Sequence, residues 1–152
     1  MTTETTETTE RRWNKPLPNI DLDNKAFWDG LRDHQLLLWT CSTCGTQYWP
    51  KCYCIKHENE PYAQNMSWQP GSGRGKIFAL NRHHWAFHPG FQDELPYIYA
   101  LIELDEGPLI STTIVGKQPT DLVSAVGEPV QIVYEDYAEL GFTIPRFELI
   151  DA

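Results

Sequence analysis

From Gly71 onward the chain alternates short apolar-rich runs with turn residues. The runs are GKIFALNRHHWAF, PYIYALIEL, PLISTTIVG, PVQIVYED and FTIPRFELI, with Gly or Pro between most of them. Their Ile, Val, Tyr and Phe content predicts strands. LDEGPL (Leu104–Leu109) reads as a hairpin turn between two of them. Five short strands with no convincing helix predict a small antiparallel barrel, and the OB-fold is the commonest barrel of this size.

The pattern before Gly71 is different. Asp23 is placed to cap a helix over Asn24 to His34, on which Phe27, Trp28 and Leu31 share one side. LLLWT (Leu36–Thr40) then reads as extended, and TQYWP (Thr46–Pro50) as its return. This makes a helix-plus-ribbon unit, too small to hold together by burial alone. The expected division is a disordered tail over 1–19, a helix and ribbon over 20–66, and a barrel domain over 67–152.

Between the two ribbon segments lies the densest chemistry of the chain. CSTCGTQYWPKCYCIKH (41–57) holds all four cysteines and a histidine. Disulfides here would close only tiny loops, so metal ligation is the better reading. Cys41-Ser-Thr-Cys44-Gly45 has the form of a zinc knuckle, with glycine allowing the tight turn beneath the ion. Cys54-Ile-Lys-His57 repeats the spacing with sulfur and imidazole nitrogen, which leaves Cys52 over. The rival set is Cys41, Cys44, Cys52 and Cys54, all thiolate. Four protein ligands leave no open position, so the metal is expected to be structural zinc. Iron on four thiolates would instead make a rubredoxin-like electron carrier.

Composition narrows the function classes. Twelve Lys and Arg against 21 Asp and Glu give a formal charge of −9. Such a chain repels a phosphate backbone, which makes nucleic-acid binding unlikely, although an OB barrel rich in aromatics could bind a single strand. The start, MTTETTETTE, has no apolar residue after Met1, and residues 1–12 are expected to be disordered. It lacks the basic and apolar regions of a signal peptide, and no apolar run is long enough to span a bilayer. A cytoplasmic protein without membrane contact is therefore expected.

Catalytic patterns are missing. GSGRGK (Gly71–Lys76) is one residue short of a phosphate loop, has Ile77 where the hydroxyl residue belongs, and precedes a strand. No Ser or Cys has a credible neighbouring base, and no paired carboxylates form a motif. Arg82, His83, His84, Trp85 and His88-Pro89-Gly90-Phe91 form the one dense polar cluster. On a strand His83 and His84 point to opposite faces and cannot act as a pair. Lys76, Arg82 or His84 could meet phosphates, and Trp85, Phe87 and Phe91 could anchor a partner. Six Trp, six Phe and seven Tyr exceed what so small a barrel buries comfortably, which fits an interface.

The order FWDGL, CSTCG, a Pro-bearing ribbon, SGRGK, FHPGF, PYIYALIELDEGP and PVQIVYEDY resembles the small zinc-ribbon/OB-fold proteins that accompany thiolase-like enzymes. That family was long labelled a domain of unknown function. The likeness covers residues 24–150. It implies a non-catalytic subunit that packs on a thiolase-fold catalytic partner in a hetero-oligomer and helps complete its acyl-CoA surface. CoA thioester would then be bound at the partner interface. Implied partner reactions are thiolytic or retro-aldol cleavage in steroid side-chain and aromatic degradation, and acyl transfer. The family's second knuckle is usually C-x-x-C, about ten residues beyond the first. Here Cys54 and His57 fall at or one place before those ligand positions, so the fourth ligand remains open between His57 and Cys52.

Overall fold

A computed structural model describes residues 13–57 and 64–150. Residues 1–12, where the disordered tail is expected, lie outside the described residues. Residues 13–19, grouped with that tail from the sequence, instead lie along the barrel. The Trp13 ring meets Tyr137 at 5.1 Å and Phe142 at 5.5 Å, and Lys15 Nζ stands 3.5 Å from Glu94.

The helix α1 spans Lys25–Arg32, shorter at both ends than expected. Asp23 is not its cap. The Asp21 carboxylate accepts from the Asp23 and Asn24 backbone N–H groups, and Asn24 occupies the N-cap position without a side-chain cap bond. Asp21 thus bonds the backbone N–H groups two and three residues on, a local turn that takes the place of an Asp23 cap. Phe27, Gly30 and Leu31 are the buried face. Gly30 must lack a side chain, because a Cβ would lie 2.8 Å from Leu37 and 2.9 Å from the Gln35 carbonyl. His34 ends the helix with φ at 56°, stacks on Tyr134 at 4.8 Å and places Nε2 2.8 Å from Asp136.

The ribbon is a three-stranded sheet. β1 (Leu37–Cys41) pairs with β2 (Gln47–Tyr48) on one side and β3 (Met66–Pro70) on the other, both antiparallel. Residues 67–70, which the sequence reading grouped with the barrel, are thus part of the ribbon sheet. Gly71 and Gly73 carry the chain out of it, and Gly73 adopts φ of 71°.

The barrel contains β4 (Arg74–His83), β5 (Tyr97–Leu104), β6 (Leu109–Val115), β7 (Pro129–Tyr137) and β8 (Phe142–Leu149), closed in the order β4-β5-β6-β8-β7. β4 stops at His83, so HHWAF is mostly loop. A 3₁₀ turn (Pro89–Glu94) and a one-turn helix α2 (Leu122–Ala125) interrupt the strands, neither foreseen from sequence. The barrel is not purely antiparallel. β6 and β8 run parallel, with Ile114 opposite Phe147 and Val115 opposite Glu148. A closed ring of five strands cannot alternate direction all the way round, so at least one neighbouring pair must agree.

Closure has two local causes. Phe78 is an extra residue between the Ile77–Ile102 and Ala79–Leu101 pairs, a bulge that bends β4. Gly75 sits where β4 leaves β5 for β7, pairing with both Leu104 and Val130. A Cβ there would come within 2.4 Å of the Glu103 carbonyl. The interior is filled by Ile77, Ile98, Ile102, Ile110, Val130 and Phe147, in one apolar cluster with Phe27, Leu31, Leu36 and Leu38 from the helix and ribbon. Phe147 is 0% exposed on the last strand. Replacing it with Ala should cost about 3–5 kcal/mol, read as a lowered urea midpoint with the slope unchanged.

Candidate metal centre

Cys41 ends β1, and the chain turns immediately. Gly45 donates its N–H to the Cys41 carbonyl at 2.8 Å, and Cys41 donates to the Thr46 carbonyl at 2.9 Å. Gly45 has φ of 74°, the left-handed geometry that this turn requires. After β2 the chain returns through Pro50 and Lys51. At the second knuckle the His57 N–H donates to the Cys54 carbonyl at 3.1 Å.

The two knuckles converge. Ligand atoms of Cys41, Cys44, Cys54 and His57 all lie within 4.8 Å of one another. Cys44 Sγ and Cys54 Sγ are 3.7 Å apart. A tetrahedron with zinc–sulfur arms of ~2.3 Å has edges of ~3.8 Å, so this spacing fits. The group can therefore hold a metal ion such as zinc.

Cys52 lies outside the group. It packs against the small apolar cluster of Trp39, Cys41, Cys54 and Met66, and its carbonyl accepts from the Trp39 indole. Burial pushes its thiol pKa up, with the Cys54 charge adding to the effect.

Surrounding donors favour thiolate at this centre. Thr46 Oγ1 is 3.1 Å from Cys44 Sγ, Asn65 Nδ2 donates to Cys41 Sγ at 3.3 Å, and Tyr48 OH is 3.4 Å from Cys54 Sγ. Cys44 is lowered to about 6, first by the Thr46 hydroxyl and backbone, with help from His57 and Cys41. Burial raises Cys41 instead. Burial also raises the Tyr48 phenol to about 12, with Cys54 contributing. That phenol thus stays a donor toward sulfur.

The other sequence candidates are dispersed. Lys76 pairs with Glu103 at 3.4 Å, and Arg82 donates to the Pro119 carbonyl at 2.8 Å. They stand six residues apart on one strand, about 20 Å, so they cannot grip one phosphate group together. His84 lies past the strand end and is exposed.

Another constellation is built on the outer barrel face. His83 stacks on Tyr97 at 4.9 Å, with Phe91 5.4 Å from Tyr97 and Tyr99 edge-on to His83 at 6.1 Å. These rings and Arg146 line a groove of about 370 Å³. Arg146 is buried, bonded to Glu135 at 3.2 Å, near Glu94 at 3.5 Å and held by Thr113. The His83 Nε2 atom is buried with no hydrogen-bond partner among the described residues. Trp85 and Phe87 stand 74% and 82% exposed beside the groove. Trp85, Phe87 and Phe91 are candidates from the sequence, whereas Arg146 is not, its one signal there being a lone cation inside the apolar run FTIPRFELI.

With the geometry in view, comparison with known proteins is informative. A model of the ChsH2 C-terminal OB-fold domain matches residues 68–135. A DUF35 domain-containing scaffold protein of Methanocaldococcus jannaschii is 30% identical over 116 residues, covering 75% of this chain and 78% of that protein. The chain belongs to the DUF35 family. Within reach of the same family, a 3-oxo-4,17-pregnadiene-20-carboxyl-CoA hydratase alpha subunit of Mycobacterium tuberculosis is 28% identical over 80% of this chain. A probable enoyl-CoA hydratase alpha subunit of Thermomonospora curvata is 30% identical over 93% of it. The chain spans only 37% and 43% of those two proteins. Among solved structures, the Ltp2-ChsH2(DUF35) aldolase matches with a TM-score of 0.71 and 25% identity, over 88% of this chain and 98% of that chain. Among the described residues no helix is long and apolar enough to cross a membrane.

The exposed Cys44, with its lowered thiol, should be the first cysteine alkylated by iodoacetamide in metal-free protein at pH 7, and the buried Cys41 and Cys54 should lag. Peptide mass spectrometry over a time course checks the order. Because zinc competes with protons for the thiolates, metal release should begin only well below the pH at which free Cys44 protonates, seen as zinc passing through a filter.

Proposed function

We propose that this chain is a non-catalytic, zinc-binding subunit of an acyl-CoA-processing complex. On this reading it docks on a thiolase-fold catalytic partner and helps to form that partner's CoA-thioester site. The observation that carries it is the end-to-end correspondence with the DUF35 chain of an aldolase assembly, 98% of that chain being covered. The name of the archaeal relative, a scaffold protein, points the same way.

The chemistry of the chain agrees. Three thiols and an imidazole fill a tetrahedral shell, so the metal has no vacant position for substrate and serves to hold the ribbon. His57 in place of a fourth thiolate favours zinc over the iron of an electron carrier. A charge of −9 argues against nucleic acid as the ligand. The docking face is the outer barrel groove. Trp85 and Phe87 are large, exposed and adjacent, the character of anchors at a protein interface. The finest form of the proposal places the complex in aromatic degradation, with a benzoylsuccinyl-CoA thiolase of toluene metabolism as the partner enzyme.

Elemental analysis should find one zinc and no iron per chain, and Cys41→Ser should abolish it. The pure chain should turn over no acyl-CoA and should co-purify with a thiolase-fold subunit. Trp85→Ser with Phe87→Ser should weaken that association about a hundredfold or more while leaving the melting temperature unchanged. Acyl-CoA cleavage by the isolated chain, or full association without zinc, would defeat the proposal.

A further inference from the structure

A cavity of about 300 Å³ opens between α1 and the ribbon, and its lining shares no residue with the candidate metal group or the barrel groove. Its walls are aromatic. Phe27 forms the floor at 6% exposure, with Trp28 edge-on at 5.7 Å and Trp49 and Trp68 each at 6.2 Å. Asp21 and Asp23 stand at its rim.

These rings come from three separate elements, since Phe27 and Trp28 lie on α1, Trp49 follows β2 and Trp68 lies on β3. Trp28, Trp49 and Trp68 pack against the core cluster and stay partly exposed where they line the cavity. An aromatic ring attracts a positive charge at its face, so a cavity lined by four rings can favour a cation. Aspartates at the rim add attraction of the same sign.

The chain's own Lys51, which lines the cavity, makes a contact of this kind with the neighbouring Trp39. Its Nζ sits 4.9 Å from the Trp39 ring centre and 3.2 Å from Asp23 Oδ1, at the edge of the same cavity. Trp39 in turn touches Trp68 at 5.0 Å. Lys51 is thus a cation held by one indole and one of the two rim carboxylates. Asp21 spends Oδ1 on two backbone N–H groups, and no bond to its Oδ2 occurs among the described residues. Among the described residues no ion pair is made to Asp21, and Lys51 is paired with Asp23 instead.

We infer that this cavity is a binding site for an alkylammonium group, the lysine side chain of a partner protein, with its methylene stem along Phe27 and Trp49 and its charge toward Asp21. The site goes beyond the scaffold reading and does not depend on the barrel groove or on CoA.

The test is a titration of the zinc-loaded full chain with acetyl-Gly-Lys-Gly-amide, followed by the indole N–H signals in a nitrogen–proton correlation spectrum. The neutral isostere acetyl-Gly-norleucine-Gly-amide is titrated in parallel. The lysine peptide should move the Trp28, Trp49 and Trp68 signals saturably, and the norleucine peptide should bind about tenfold more weakly or not at all. Asp21→Asn keeps the Oδ1 acceptor that shapes the turn while removing the charge, so it should fold normally and bind lysine about threefold or more weakly. Equal shifts from the norleucine peptide would make the cavity merely apolar and overturn the inference. So would the absence of any indole shift with lysine, or unchanged affinity in Asp21→Asn. The isostere comparison runs on the unmodified chain and decides the matter even if the variant misfolds.

Discussion

Leu31, Leu36 and Leu38 are withdrawn from water against the floor of the barrel, and this shared burial makes one body of two dissimilar parts. All three are at most 1% exposed, and they belong to the same apolar cluster as Ile77 and Phe147. Burying a leucine is worth roughly 2 kcal/mol, so three of them match a large part of a small domain's net stability. The helix can approach this closely because Gly30 has no side chain to hold it off. His34, stacked on Tyr134 and bonded to Asp136, fixes the angle of approach at the surface.

The far end of the ribbon has no such support. Among the described residues its own apolar cluster has Trp39, Cys41, Cys54 and Met66 as buried members, two of them prospective metal ligands. A core that small cannot order the two knuckles, and an ion can. The division of labour is therefore physical: apolar burial near the barrel, and at the tip a donor group that can hold an ion. Thr46, Asn65 and Tyr48 direct hydrogen bonds at sulfur, so the tip is arranged to stabilise negative thiolates and not merely to bring thiols together.

What was legible in the sequence was local. The CxxC-Gly spacing writes the first knuckle into five residues, and alternating apolar runs write five strands. The choice between Cys52 and His57 was not legible, because it depends on which way the return of the ribbon turns Cys52. The structure turns it into the packing around Trp39 and leaves His57 with the other three donors. β3 was missed because Met66–Pro70 is short and ends in proline, and it is a strand only through β1. The parallel β6–β8 contact follows from ring closure and not from either strand's composition. Arg146 and the stacked His83–Tyr97 pair depend on registers set across β5, β6 and β8, which no window of sequence contains.

The contact of α1 with β8 has a bearing on time as well as space. The earliest element of the described chain rests on the latest, and β8 also brings Phe147 and seals the ring against β6. Such distant pairings are slow to form, because the intervening chain must first be gathered. While the polypeptide emerges from the ribosome, the greasy faces of Leu31 and Leu36 have nowhere to go until β8 has been made. The newborn ribbon thus spends its first seconds with that surface bare, open to chaperones.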